Sequence, residues 1–308
     1  MSELLDFRGR VAIVTGAGQG MGREHAKMLA SRGARVVAND INIERVGETV
    51  AEIIAAGGAA VADHNNIVTD SAAIVDAAVE AFGRLDIVVN NAGINAFGRF
   101  WEMDEGTWWR VFDVAVKGVV GVSRAAMPHL IASGSGRIIN ISSNGVMGVP
   151  TDSAYNAAKA AIWGLGITLA AEAREVGVQV TTLMPVAWTP MTEDAFPNPV
   201  IRDAMRNTVP ARAVSAFVTW LAHQDTTMFG GTWEVAGTSA GRIEIAGAPR
   251  VRAASPEPES WGALQDQLTE DAPLRPFRTA SESFRDQMVF LSPELDTVLP
   301  ADAADVSR

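Results

Sequence analysis

Cysteine is absent from the 308 residues, which excludes disulfides and thiolate metal sites. The four histidines (His25, His64, His129 and His223) are scattered without metal-ligand spacing, so they read as structural or surface residues and no metal is expected. Basic residues are in the minority, 25 Lys and Arg against 36 Asp and Glu, for a net charge of −11. A surface of that sign repels phosphate backbones and anionic bilayers, so neither nucleic acid nor membrane is an expected partner. No apolar run in the sequence reaches bilayer-spanning length. The start, Met1-Ser-Glu-Leu-Leu-Asp6, is acidic and lacks the regions of a secretion signal, so a cytoplasmic location is expected. Tyrosine occurs once, at Tyr155, and lysine three times, at Lys27, Lys117 and Lys159.

What is present is an ordinary globular composition, 48% apolar and 20% charged, with length enough for a full α/β core. Val11–Thr15 is a short, wholly apolar stretch of the kind buried in a parallel sheet. It runs into Thr15-Gly-Ala-Gly-Gln-Gly-Met-Gly22, after which residues 23–32 have helical composition. A glycine-rich turn between strand and helix lets the backbone approach a pyrophosphate, and the helix N-terminus favours its charge. Gly16, Gln19, Gly20 and Met21 are therefore expected against a dinucleotide. The second strand, 34–39, ends at Asp40. A carboxylate there bonds both ribose hydroxyls and repels a 2′-phosphate, which favours NAD over NADP; it could equally cap the next helix, 44–56.

A third strand, 59–62, leads to Asn65-Asn66-Ile67, where Asn66 and Ile67 are expected beside the adenine. A helix over 71–82 and a strand over 86–90 follow. The strand opens into Asn90-Asn91-Ala92-Gly93, whose small residues let a ribose sit against the backbone, while Asn90 can tie neighbouring strands. Aromatic residues crowd the next segment and the start of a long helix, 105–131. A fifth strand, 137–143, carries Ser142 and Ser143 at its C-terminal end, where ligands of open parallel sheets bind. Strands over 178–183 and 231–237 complete seven, with a proline-rich flap over 192–209 between them. Past Val251, five Arg face eleven Asp or Glu, a net −6. The division is thus a dinucleotide-binding and catalytic domain, 1–250, and an acidic, partly helical extension, 251–308. One tail helix is expected over 261–270, with Trp261, Leu264 and Leu268 as an apolar stripe, and a second over 280–289, with the end disordered.

Tyr155 and Lys159 stand four apart in an alanine-rich helix, 153–175, and so share a face. An ammonium beside a phenol favours the phenolate, which makes the pair a proton carrier near neutral pH.

Thr15-Gly-x-x-x-Gly20-x-Gly22, Asn90-Asn-Ala-Gly93, a strand ending in Ser142-Ser143, and Tyr155-x-x-x-Lys159 together resemble the short-chain dehydrogenase/reductase family over about residues 6–240. The resemblance implies a Rossmann-type, doubly wound parallel sheet with helices on both faces, and NAD as cofactor. It implies Tyr155 as general acid/base, Lys159 bonding the nicotinamide ribose and lowering the tyrosine pKa, and a serine orienting the substrate oxygen. Strand register selects Ser143, whereas counting back from Tyr155 selects Ser142. Asn90, Ala92, Gly93, Val186 and Thr189 join the cofactor contacts. The family's relay asparagine falls at Ala115, and its Pro-Gly at Pro185-Val186. A homodimer or homotetramer is also implied, consistent with two helices more apolar than one buried face requires.

A nearer similarity is to the (3R)-hydroxyacyl-CoA dehydrogenase unit of peroxisomal multifunctional enzymes and to bacterial hydroxysteroid dehydrogenases. It is carried by Val37-Ala-Asn-Asp40, Met191-Thr192 and Gly230-Gly-Thr-Trp-Glu-Val235. Trp188, Met191, Phe196 and Val146 make an apolar substrate pocket, so the leading expectation is a hydrophobic secondary alcohol and its ketone. A 3-hydroxyacyl-CoA is the alternative substrate, with Arg202 and Arg206 as contacts for its phosphates. A non-catalytic NAD sensor is the alternative of another class.

Overall fold

A computed structural model describes residues 4–193, 198–228 and 230–299. The chain divides into two compact units, Met1–Arg242 and Ile243–Arg308. In chain order the first holds β1 (Val11–Thr15), α1 (Gly20–Ser31), β2 (Arg35–Asn39), α2 (Ile43–Ala55), β3 (Ala59–Asp63), α3 (Ser71–Phe82), β4 (Ile87–Asn90), α4 (Glu105–Ala132), β5 (Arg137–Ile141), α5 (Ser153–Arg174), β6 (Gln179–Val186), α6 (Pro190–Glu193), α7 (Pro199–Thr208), α8 (Ala211–Ala222) and β7 (Thr232–Ala236). The sheet gains an eighth strand, β8 (Ser239–Ile243), beyond the seven expected, and its order is β3-β2-β1-β4-β5-β6-β7-β8. Gly237, at φ +56°, makes the turn between β7 and β8.

The wholly apolar strands are apolar because both faces are covered. In β1, Ala12 and Val14 pack into a core with Ala26 and Leu29 of α1 and Val214 and Val218 of α8. Val11 and Ile13 face the other way, onto Ile74 and Ala78 of α3 and Val122 and Ala126 of α4. All register-matched pairs from β3 through β7 are parallel, so the strands point their C-terminal ends to one edge. The connections diverge between β1 and β4, and the crevice opens there.

By length and composition alone α4 is apolar enough to cross a membrane, which corrects the sequence expectation. Its apolar residues have protein partners: Val119, Val122, Ala126 and Leu130 are buried, against the sheet and α5.

The second unit carries β9 (Ile245–Gly247), α9 (Pro258–Gly262), α10 (Gln265–Thr269), β10 (Arg275–Phe277) and α11 (Ala280–Leu291). β9 and β10 pair antiparallel. Asp286 of α11 joins Arg250 and Arg275. The single tail helix expected over 261–270 is two short ones, broken after Gly262, a residue that stabilises helix interiors least among those other than proline. Trp261 and Leu268 are accordingly 46% and 56% exposed and form no buried stripe within this unit. A 3-10 turn at Pro293–Thr297 occupies part of the stretch expected to be disordered; residues 300–308 lie outside the described ones.

Helix α5 sits close to the sheet because Gly166 faces β6: a Cβ there would lie 2.0 Å from Thr182 Oγ1. Gly166→Ala is expected to lower stability by about 1–3 kcal/mol, the usual range for overpacking. Urea unfolding followed by far-UV circular dichroism measures it, and an unchanged midpoint would mean the helix is not held at this distance.

Candidate active site

A cavity of about 410 Å³ occupies the crevice. Gly16, Gln19, Gly20, Met21 and Asp40 line one end, and Ser143, Tyr155 and Lys159 line the other. Its first wall is the turn after β1. Gly16 and Gly20 have φ of +65° and +55°, a region only glycine enters freely. A Cβ on Gly22 would stand 2.1 Å from the Gly16 carbonyl oxygen. Gln19, the N-cap of α1, makes no side-chain bond to the helix start, so first-turn N–H groups remain for an anion.

Asp40 stands at the end of β2. Its Oδ2 accepts the Gly18 N–H and its Oδ1 the Asn42 N–H, each at 2.9 Å. It does not cap α2; Asn42 does, accepting the Arg45 N–H at 3.0 Å. Both carboxylate oxygens keep a lone pair for ribose hydroxyls. Arg45 is held at the rim, donating to Gln19 Oε1 at 2.6 Å. At the end of β4, Asn91 Nδ2 donates to the carbonyls of Thr15 and Gly16 at 3.0 and 3.3 Å. Thr15 Oγ1 accepts the N–H groups of Asn91 and Ala92. A Cβ on Gly93 would come 3.7 Å from Lys159 Nζ, so bare backbone faces the ammonium. The glycine cradle, the uncapped helix start and the fixed carboxylate are what an adenine dinucleotide needs, and these residues fit a nicotinamide dinucleotide of either kind.

The chemical end is built where β5 stops. Ser142 is buried, and its Oγ donates to the Lys159 carbonyl at 2.8 Å. The next hydroxyl, Ser143, accepts the Gly145 N–H at 3.0 Å and hydrogen-bonds the Tyr155 phenol. Lys159 Nζ donates to the Ile141 carbonyl at 2.7 Å and lies 5.4 Å from the centre of the Tyr155 ring. Burial pushes the phenol above its ordinary pKa; the Ser143 bond pulls it down, and the nearby Asp152 pushes it up. The same burial pulls the Lys159 ammonium down to about 8. Desolvation penalises both charged forms, so burial opposes the lowering of the phenol expected from Lys159.

The profile of the short chain dehydrogenases matches residues 10–199. The chain belongs to the short-chain dehydrogenase family. It is 39% identical over 241 residues to peroxisomal multifunctional enzyme A of Dictyostelium discoideum, a match covering 75% of this chain and 53% of that protein. The chain thus spans about half the length of that relative, and less of other multifunctional relatives. It is 36% identical to (2S)-[(R)-hydroxy(phenyl)methyl]succinyl-CoA dehydrogenase subunit BbsD of Thauera aromatica, over 62% of this chain and 78% of that one. Among solved structures, a short chain dehydrogenase from Mycobacterium avium superposes with a TM-score of 0.77 at 36% identity, covering 89% of this chain and 98% of that one.

Several residues expected at the family's site lie elsewhere. Asn66 is exposed and its Oδ1 accepts the Val68 N–H, while Ile67 is buried against the bare face of Gly118. Neither lines the cavity, because the loop after β3 turns into α3. Asn90 is buried behind it, donating to Ser123 Oγ and Asn140 Oδ1 at 3.0 and 2.9 Å; its role is to tie β4 to β5 and α4. Trp188 also lies off the lining, with the Arg206 guanidinium 5.4 Å from its ring. Val146, Arg202 and Arg206 are likewise off it, and Phe196 lies outside the described residues. Ala115, where the family's relay asparagine falls, packs on Ala158 and Ile162 and brings no polar group to Lys159. Ala92, Gly93, Val186, Thr189 and Met191 do line the cavity. Sequence reasoning missed Asn91, Asn95, Phe97, Val149, Asp152 and Met205. Two of these carried a signal: Asn91 within Asn90-Asn91-Ala92-Gly93, and Asp152 as the cap residue one turn before Tyr155.

The two serines are separable. Ser142→Ala removes a buried bond to α5 and is expected to lower stability by about 1 kcal/mol. Ser143→Ala is expected to spare stability and lower kcat at least tenfold. Paired melting curves and steady-state rates check this; the reverse pattern would assign the substrate oxygen to Ser142.

Proposed function

We propose that this chain is an NAD-dependent dehydrogenase that interconverts the hydroxyl of a 3-hydroxyacyl-CoA and its ketone. The observation that carries the reaction type is the convergence of Ser143, Tyr155 and Lys159 in one cavity with the glycine turn and Asp40. The substrate class is supported by relatives. One is named for a hydroxyl-bearing CoA thioester, and another is named peroxisomal hydratase-dehydrogenase-epimerase. NAD, when bound, supplies the hydride acceptor or donor.

The chain's own residues do the rest. Gly16, Gly20 and the start of α1 take the pyrophosphate, Asp40 the adenosine ribose, and Gly93 and Lys159 the second ribose. Ser143 holds the substrate oxygen beside Tyr155. Tyr155 takes the hydroxyl proton in oxidation and returns it in reduction. Lys159 is fixed for its ribose contact by the bond from its Nζ to the Ile141 carbonyl. Phe97, Val149, Met191 and Met205 form an apolar wall, which suits an acyl chain. The same wall would also accept an apolar secondary alcohol without a thioester, the second reading.

Tyr155→Phe deletes only the proton carrier. Turnover is expected to fall by about 10²- to 10⁴-fold while NADH binding, read by tryptophan fluorescence, stays within a few-fold. A variant keeping more than about a tenth of wild-type kcat would remove Tyr155 from this role and favour an NAD-binding sensor. NAD is expected to exceed NADP by at least about tenfold in kcat/KM, equivalent to 1.4 kcal/mol. Equal use would show that Arg45, not Asp40, governs the ribose end. Steady-state rates on 3-hydroxyacyl-CoA esters beside steroid, terpenoid and aryl alcohols decide the substrate class, and turnover confined to the free alcohols would sink the thioester reading.

A further inference from the structure

Asp152 is the residue of this cavity that neither cofactor binding nor proton transfer uses. It is 7% exposed, yet it lines the cavity with Tyr155. Its Oδ1 is buried and has no hydrogen-bond partner. Its Oδ2 has one long contact, from Asn95 Nδ2 at 3.4 Å. As the N-cap residue of α5 it could have taken a first-turn N–H, but its side chain makes no such bond. A buried carboxyl with so little solvation is unusual and calls for a reason.

The backbone holds it there. Thr151 has φ +68° and is the only described non-glycine residue with positive φ. The Thr151 carbonyl accepts the Gly98 N–H at 2.8 Å, and Gly98 bridges to Asp152 in parallel fashion. A β-branched residue in the left-handed region is strained. The bond from the Gly98 N–H holds Thr151 in this conformation and ties it to the loop carrying Asn95 and Phe97.

The other ionisable groups lining the cavity are Asp40 at the far end and Tyr155 and Lys159 beside Asp152. No Arg, His or Glu is among the lining residues. Asp152 acts on Tyr155 electrostatically, opposing its ionisation. Spacing of i and i+3 puts the two within about 6 Å at their Cβ atoms. Two like charges about 6 Å apart at an effective dielectric near 20 repel enough to weaken binding by about a hundredfold, and the Lys159 ammonium on the same wall offsets part of that.

We propose that Asp152 is a specificity-determining residue, an under-solvated carboxylate that admits neutral esters and thioesters of 3-hydroxy acids and rejects the free 3-hydroxycarboxylates. This rests on the 3-hydroxyacyl reading above. A thioester and its acid share the same carbinol and chain, and differ by a negative charge on oxygens three bonds from the reacting carbon. The field of Asp152 falls on that difference. It would let the enzyme process the activated acyl group and leave the hydrolysed acid alone.

The test uses the full chain and a matched set: 3-hydroxyoctanoate, its methyl ester and its N-acetylcysteamine thioester. Wild type is expected to prefer the esters over the carboxylate by about ten- to a hundredfold in kcat/KM. Asp152→Asn keeps the shape and removes the charge. It is expected to narrow that ratio at least about tenfold, equivalent to 1.4 kcal/mol, with the gain in KM for the carboxylate. A ratio unchanged in Asp152→Asn, or a wild type that prefers the carboxylate, overturns the proposal. A second measurement needs neither turnover nor a variant. In thermal-shift titrations with NADH present, octanamide is expected to bind wild type at least about tenfold more tightly than octanoate; equal affinity also overturns it. If no 3-hydroxyacyl derivative is turned over while another alcohol is, the substrate reading fails, and the octanamide and octanoate pair still decides the field of Asp152.

Discussion

The site depends on one reciprocal pair of hydrogen bonds between the end of β5 and the middle of α5. Ser142 Oγ donates to the Lys159 carbonyl, and Lys159 Nζ donates back to the Ile141 carbonyl. A helix lying on a sheet can slide by a turn with little loss of apolar burial, because its small residues repeat. Two directional bonds in a buried setting remove that freedom, since leaving either partner unpaired there is penalised. Gly166 over Thr182 sets the height of the same helix. Register and height together put Tyr155 beside Ser143.

Burial is the second constraint, and it acts on three groups in one sense. It pushes Tyr155 and Asp152 up and pulls Lys159 down, so each is moved toward its neutral form. Groups shifted in this way gather where protons move. The arrangement also carries a stability signature. The Asp152 carboxyl, raised in the fold, favours the folded state below its unfolded value of 3.8 and loses that contribution as pH rises through the folded value. Wherever this carboxyl is ionised its burial weakens the fold, which is the mark of a residue kept for something other than stability.

Much of the frame was legible from the chain. The apolar runs at Val11–Thr15 and Arg137–Ile141 could only be buried parallel strands, and the glycines of the first turn announced a close backbone approach. Tyr155 and Lys159 were legible because four residues on a helix is a fixed geometry. Asn66, Ile67 and Trp188 stand off the cavity lining because they sit in loops, where spacing along the chain does not fix direction in space. Asn90 was half legible: its polarity at a strand end was visible, but not that Ser123 and Asn140 would take both its donors. The rise of the phenol pKa was invisible, since burial depends on the closed fold and not on the neighbours in sequence.

That division explains why the reaction type is better determined than the substrate. The groups that move the proton and hold the dinucleotide stand at strand ends or on α5, fixed by sheet register. The groups that would touch an acyl chain come from irregular segments and short helices: Phe97 before α4, Val149 before α5, Met191 in α6 and Met205 in α7. Loops of this kind change length and direction at little expense to the core, so one frame can serve many substrates. Asp152 belongs to neither class. It sits at the first turn of the rigid helix but is aimed by a strained loop residue, Thr151. A carboxyl in that position biases the cavity whatever the loop-borne walls admit.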